Sequence, residues 1–130
     1  MEDRYEKGMK VLNITNKEKI EGLFDELEDI APDLGRFVVE FPYSEIYSRK
    51  TLDLKTRELA TVAALTAMGN AEVQLKDHIN AALNVSNSPE EIVEVIMQMS
   101  AYAGFPAAIN GVKAAKEIFK EKGLLPLKWE

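Results

Sequence analysis

The sequence contains no cysteine and a single histidine, His78. Without cysteine there is no disulfide, no thiolate metal ligand and no cysteine nucleophile. One histidine also excludes a metal site built from several histidines of the same chain. Basic residues are the minority: 16 Lys and Arg stand against 22 Asp and Glu, for a formal net charge of −6. Phosphate backbones repel an acidic chain, and no cluster of Lys and Arg is dense enough to reverse that, which argues against nucleic-acid binding. No apolar run approaches the roughly 18 to 20 residues that cross a bilayer. The first ten residues, Met1 to Lys10, are highly charged where a signal peptide would be apolar. The expectation is a cytoplasmic protein with no membrane partner. Aromatic residues make up only 8% of the chain, so Ala, Leu, Ile, Val and Met supply most of the apolar mass. That bias suits helix-on-helix packing better than a sheet.

What is present is globular. At 130 residues, 46% apolar and 29% charged, the chain fits one domain spanning residues 1–130, large enough to bury a real core. Helix punctuation runs throughout. Asn16 stands as a cap before Ile20, Leu23, Phe24, Leu27 and Ile30, which recur at spacings of three and four. Pro32 suits the first turn of a further segment reaching about Phe41, which Pro42 should interrupt. Residues 43–51 read as irregular or short-helical. Asp53 is placed to cap a long helix from Leu54 to Met68, closed by Gly69. The next helix runs from about Ala71 to Leu83 and carries His78 on its apolar stripe. Ser88–Pro89–Glu90–Glu91 is a capping box opening a helix through about Tyr102. Gly104, Phe105 and Pro106 should break the chain before a last helix over 107–122. The expected fold is an all-α single-domain bundle of about six to seven helices.

The second half of the long helix, Leu59 to Met68, is apolar on nearly every face. A helix apolar all round is buried, and a domain this small does not cover every face of it. Self-association into a homo-oligomer is therefore expected, and the apolar tail with Leu124, Leu125 and Trp129 points the same way.

Several blocks, in this order, resemble the carboxymuconolactone decarboxylase family, which has an alkylhydroperoxidase D-like fold. They are Glu45–Ile46–Tyr47–Ser48–Arg49, then Leu52 to Leu59, then Leu75–Lys76–Asp77–His78–Ile79–Asn80–Ala81–Ala82, then Tyr102 to Ala108. No single block is diagnostic, and the order carries the resemblance. It implies trimers or hexamers. The peroxidase branch of the fold needs a Cys-x-x-Cys pair just ahead of the histidine, and those positions hold Ala71 and Gln74 here, so that thiol chemistry is excluded. The Pro-Gly that the resemblance leads one to expect after the arginine is Lys50–Thr51.

The family reaction, as the resemblance implies it, removes carbon dioxide from a small carboxylated lactone such as 4-carboxymuconolactone. The leaving carboxylate is a vinylogous relative of one in a β-keto acid, so electrons can flow to the lactone oxygen with no cofactor. The protein must anchor a dianionic substrate, stabilise an oxyanion and deliver a proton to carbon. Arg49 suits the first task, because a guanidinium forks onto a carboxylate. His78 suits the second or third near neutrality. Glu45 is placed to orient or charge the histidine and Tyr47 to donate to a substrate oxygen. The catalytic candidates are thus His78 and Glu45, and the substrate-binding candidates Arg49 and Tyr47. Each has a plainer rival: a histidine on an apolar face is often a packed core residue, and an arginine is often solvated. Glu58 reads as a partner of its helix's N-terminal dipole, although it lies near the place of a functional glutamate in the peroxidase branch. Two other readings stay open, a homo-oligomer of the family without catalysis and a module that binds another protein.

Overall fold

The structure, a computed structural model, describes residues 2–129; the two ends of the charged N-terminal stretch and of the apolar tail, Met1 and Glu130, lie outside them. Among the described residues the chain forms seven α-helices and one π-helix and no strand, so the all-α expectation holds. Contacts group the chain into two compact units, one ending at Leu54 and the other beginning at Lys55.

The first unit holds α1 (Arg4–Thr15), α2 (Lys17–Leu27), α3 (Pro32–Val38) and the π-helix (Val39–Tyr47). Asp3 starts α1, its carboxylate accepting from the Glu6 N–H at 2.7 Å. The buried side of α1 is Gly8, Val11, Leu12 and Thr15, and it packs on the π-helix through Val39 and Tyr43. Gly8 is what permits the approach: a Cβ there would lie 2.2 Å from the Val39 carbonyl oxygen. Arg4 fastens the same pair of elements, reaching Glu45 at 2.7 Å and the Glu40 carbonyl at 3.2 Å. Pro32 opens α3 as expected. Pro42 does not interrupt the chain: it sits within the π-helix. Proline lacks an N–H and crowds the carbonyl one α-turn back, and the wider π-turn, whose bonds span five residues, accommodates both effects where an α-helix would break.

The second unit carries α4 (Leu54–Met68, whose first residue closes the first unit), α5 (Glu72–Asn84), α6 (Pro89–Ala103) and α7 (Phe105–Glu121). Its core is Val62 of α4, Ile79 of α5, Ile92 and Ile96 of α6, and Ala114, Ala115 and Phe119 of α7. The Ser88 capping box forms in full: the hydroxyl accepts from the Glu91 N–H at 3.0 Å and the Ser88 N–H donates to the Glu91 carboxylate at 2.9 Å. Gly111 lets α7 cross close to its neighbours, since a Cβ there would meet Ile96 Cγ2 at 2.8 Å and Thr66 Cγ2 at 2.9 Å. Asn87 ties α4 to the end of α5, its amide donating to the Lys55 carbonyl at 3.0 Å and the Ala82 carbonyl at 3.2 Å.

The apolar half of α4 is only partly covered. Val62 and Thr66 are buried while Ala60, Ala64, Ala67 and Met68 are exposed. In the tail, Leu127 packs on the core of this unit and Trp129 remains half exposed. No helix among the described residues is long and apolar enough to cross a membrane.

Candidate active site

His78 lies on α5 with its Nδ1 2.8 Å from Oε1 of Glu58 on α4. The glutamate is fully buried and the histidine side chain 19% exposed. An ionised carboxylate only accepts, so the Nδ1–H of His78 donates to Oε1 and Nε2 is the ring nitrogen left available for proton exchange. The second carboxylate oxygen, Oε2, is buried and has no hydrogen-bond partner among the described residues. A buried carboxylate with only half its acceptor capacity used is costly on its own. The hydrogen bond from Nδ1 supplies one acceptor site of that carboxylate with a partner and fixes the orientation of the ring. Local structure makes this geometry reliable. Glu58 shares the buried stripe of α4 with Val62 and Thr66, and Asn87 anchors α4 one turn earlier, at Lys55.

The partner of His78 is therefore Glu58 and not Glu45. Glu45 is exposed on the π-helix and pairs with Arg4. Nor does Glu58 act on the helix dipole: the first turn of α4 holds no acidic residue, and Glu58 sits beyond it on the inward face. The signal was present in the sequence. A charged residue four and eight positions before Val62 and Thr66, on the stripe that faces the core, is rarely buried without a partner.

Arg49 and Tyr47 come together within the first unit. Both line a cleft of about 410 Å³ whose wall is completed by α1 through Lys7, Lys10 and Val11. Tyr47 also stacks at a tilt on Tyr43, with ring centroids 5.0 Å apart, which steadies its ring. The two positions that hold cysteines in the peroxidase branch, Ala71 and Gln74, stand just before α5 and in its first turn. Lys76, on the same helix, is bound to Glu117 at 2.6 Å, and this contact raises its pKa above the ordinary lysine value. It is thus held as a cation and is no proton donor at neutral pH. Among the described residues no group of three or more His, Asp and Glu could hold a metal ion.

Residues 32–117 match the model of the Carboxymuconolactone decarboxylase family, more than half of the chain and a span that includes both the Glu58–His78 pair and Arg49. The chain belongs to that family. A 4-carboxymuconolactone decarboxylase from Acinetobacter baylyi is 34% identical over 128 residues, covering 98% of this chain and 95% of that protein. An uncharacterized 15.0 kDa protein from Paracoccus denitrificans, encoded in the nqo9-nqo10 intergenic region, is 33% identical over 97 residues. That match covers 74% of this chain and 72% of the other. Family membership fits what the helices had already indicated: the Tyr47–Arg49 block and the helix bearing His78 both fall within the matched residues.

Proposed function

We propose that this family member is a decarboxylase that needs no cofactor and acts on a small carboxylated lactone of the 4-carboxymuconolactone type. The observation that carries the reading is the buried Glu58 carboxylate on Nδ1 of His78. In the proposed reaction the bond between the ring carbon and the carboxylate breaks and carbon dioxide leaves. Its electron pair moves through the conjugated system to the lactone oxygen, forming a dienolate. Protonated His78 delivers its Nε2 proton to carbon and regains one from water, so the net change is loss of carbon dioxide and uptake of one proton. In this scheme Nδ1 keeps its proton throughout, donating it to the Glu58 carboxylate, which orients the ring. Within the first unit, Arg49 is suited to fork onto a carboxylate and Tyr47 to donate to an oxygen.

The test is ultraviolet monitoring of 4-carboxymuconolactone consumption by the wild type and by His78→Gln. The reading expects turnover that falls by about 10²-fold or more in the variant, within the usual contribution of a general acid. Absence of turnover in the wild type under all conditions removes the named reaction and leaves the family assignment in place.

A homo-oligomer, a trimer or hexamer working in the cytoplasm, belongs to the same proposal. Its support is the uncovered apolar side of α4 together with the exposed Met97, Phe105 and Ile109 of α6 and α7. Sedimentation at the 14.6 kDa of a single chain, across the working concentration range, overturns it.

A further inference from the structure

Within the second unit, a cavity of about 240 Å³ is walled by the end of α4, the start of α5 and the first half of α7. Its wall carries hydrogen-bond donors that the helices leave unused. Thr66 of α4 is 2% exposed, and its buried hydroxyl has no partner among the described residues. That hydroxyl is turned toward α7: a Cβ on Gly111, which lines the same cavity, would stand 3.3 Å from Oγ1. A buried hydroxyl left unsatisfied carries its full desolvation penalty, which a ligand oxygen accepting from it would remove. α5 begins at the same wall, with Ala71 and Glu72. An α-helix has no internal acceptors for its first N–H groups, and no side chain caps this one at Ala71. The N–H groups of Glu72, Val73 and Gln74 thus stand open at the positive end of the helix dipole. Asn110 and Lys113 of α7 also line the cavity. Both are exposed, and neither side chain enters a hydrogen bond or ion pair among the described residues. One carboxylate borders the cavity, that of Glu72, and Lys76 on the next turn already answers it at 3.6 Å. Glu117, one turn beyond Lys113, is taken by the same lysine at 2.6 Å.

We infer that this cavity binds a phosphate group, as free phosphate or as the phosphoryl end of a small ester. Donors converge from three sides: N–H groups from α5, a hydroxyl from α4, an amide and an ammonium from α7. A tetrahedral oxyanion presents oxygens in as many directions, where a planar carboxylate offers two. Phosphate placed here rests on the open N–H groups of α5, accepts from Thr66 and Asn110, and has its charge balanced by Lys113. At about 240 Å³ the cavity is below the usual range for drug-sized ligands, which restricts an ester to a few carbons, and Leu65 and Leu75 give those carbons an apolar wall. Neither Glu58 nor His78 lines the cavity, so phosphate binding there does not depend on the proposed reaction.

The experiment is a titration of the isotopically labelled full chain with inorganic phosphate at neutral pH, followed through the amide resonances by NMR, with sodium chloride at matched ionic strength as the control. The expected result is a saturable shift of the Glu72, Val73 and Gln74 amides that chloride does not reproduce. Thr66→Val keeps the shape of the side chain and removes a hydroxyl that has no partner, so it should be as stable as wild type in urea denaturation. It should nevertheless bind phosphate about tenfold or more weakly, the worth of a hydrogen bond to a charged group. Lys113→Gln should weaken phosphate by about two- to fivefold, and because Lys113 is exposed this variant keeps the fold, which circular dichroism checks. Glycerol phosphate distinguishes the two sources: tighter binding than inorganic phosphate assigns the cavity to an ester, and weaker binding assigns it to the free ion. Absence of a saturable shift in these three amides, or an equal shift with chloride, overturns the inference. Wild-type phosphate affinity in folded Thr66→Val or in Lys113→Gln overturns it as well.

Discussion

Glu58 offers the sharpest perturbation, because truncating it and neutralising it have different expected effects. Glu58→Ala removes a fully buried side chain. The lost methylene burial is about 0.8 kcal/mol, and losing a hydrogen bond to a charged group adds about 1.5–3 kcal/mol. The variant should therefore be less stable by about 2–4 kcal/mol in urea denaturation. Glu58→Gln keeps the volume and an oxygen that accepts from Nδ1, and it removes a carboxylate whose Oε2 has no partner. Relief of that desolvation offsets the lost charge, so its stability should stay within about 1 kcal/mol of wild type. Catalysis should not be spared. Opposite charges about 4 Å apart interact by about 4 kcal/mol at an effective dielectric of about 20, and the 19% exposure of His78 lets water weaken this to about 2–4 kcal/mol. If imidazolium delivers the proton, kcat in Glu58→Gln should fall by about 30- to 1,000-fold with little change in KM. A double-mutant cycle with His78→Gln should show coupling above about 1 kcal/mol in stability. The reasoning fails if Glu58→Ala costs less than about 1 kcal/mol, or if Glu58→Gln turns over at the wild-type rate.

Gly8→Ala should destabilise the first unit by about 1–3 kcal/mol, because the added Cβ would lie 2.2 Å from a backbone oxygen of Val39. A midpoint in urea equal to or above wild type would contradict it, since alanine is otherwise the better helix former. Asn87→Ala removes two hydrogen bonds from a buried amide and should lower stability by about 1–2 kcal/mol, measured by the same denaturation. Glu91 has a pKa below its ordinary value of 4.5, chiefly because the Ser88 backbone N–H donates to it. A lowered folded-state pKa means its contribution is present above the unfolded value and disappears as acid protonates the carboxylate. Glu91→Gln should accordingly be less stable than wild type at neutral pH, and the two should converge below about pH 4. Parallel stability curves over that range would show that the capping box does not couple to protonation.

The helices were legible in the sequence where local chemistry sets their ends. α4 begins at Leu54 and ends at Met68 as the flanking residues indicated, and the Ser88 capping box stands where its four-residue signature placed it. α2 stops at Leu27, short of Ile30, and α7 starts at Phe105 instead of about 107; such ends depend on a turn's worth of weak preferences. Helix α1 carries little local signal, because its buried side includes Gly8 and Thr15, and an apolar stripe does not stand out. Its position is decided by the close approach to Val39. The π-helix was illegible for a related reason: Pro42 is a strong local breaker, and the widened turn around it packs on α1 and α3.

The sequence by itself determined that no thiol chemistry is available, that the protein is helical, and that His78 is the one imidazole on which acid–base chemistry can rest. It also marked Arg49 and Tyr47, which the structure sets in one cleft. Only the tertiary structure decided which carboxylate serves His78. Helical periodicity places a residue on a face of its own helix, and Glu45 and Glu58 are equally good carboxylates by composition. Which of them meets an imidazole depends on how two helices cross, and α4 and α5 bring Glu58 to 2.8 Å while Arg4 takes Glu45. The same holds for Lys7: nothing in the local pattern of a charged first helix joins it to Arg49, and folding α1 onto the π-helix does.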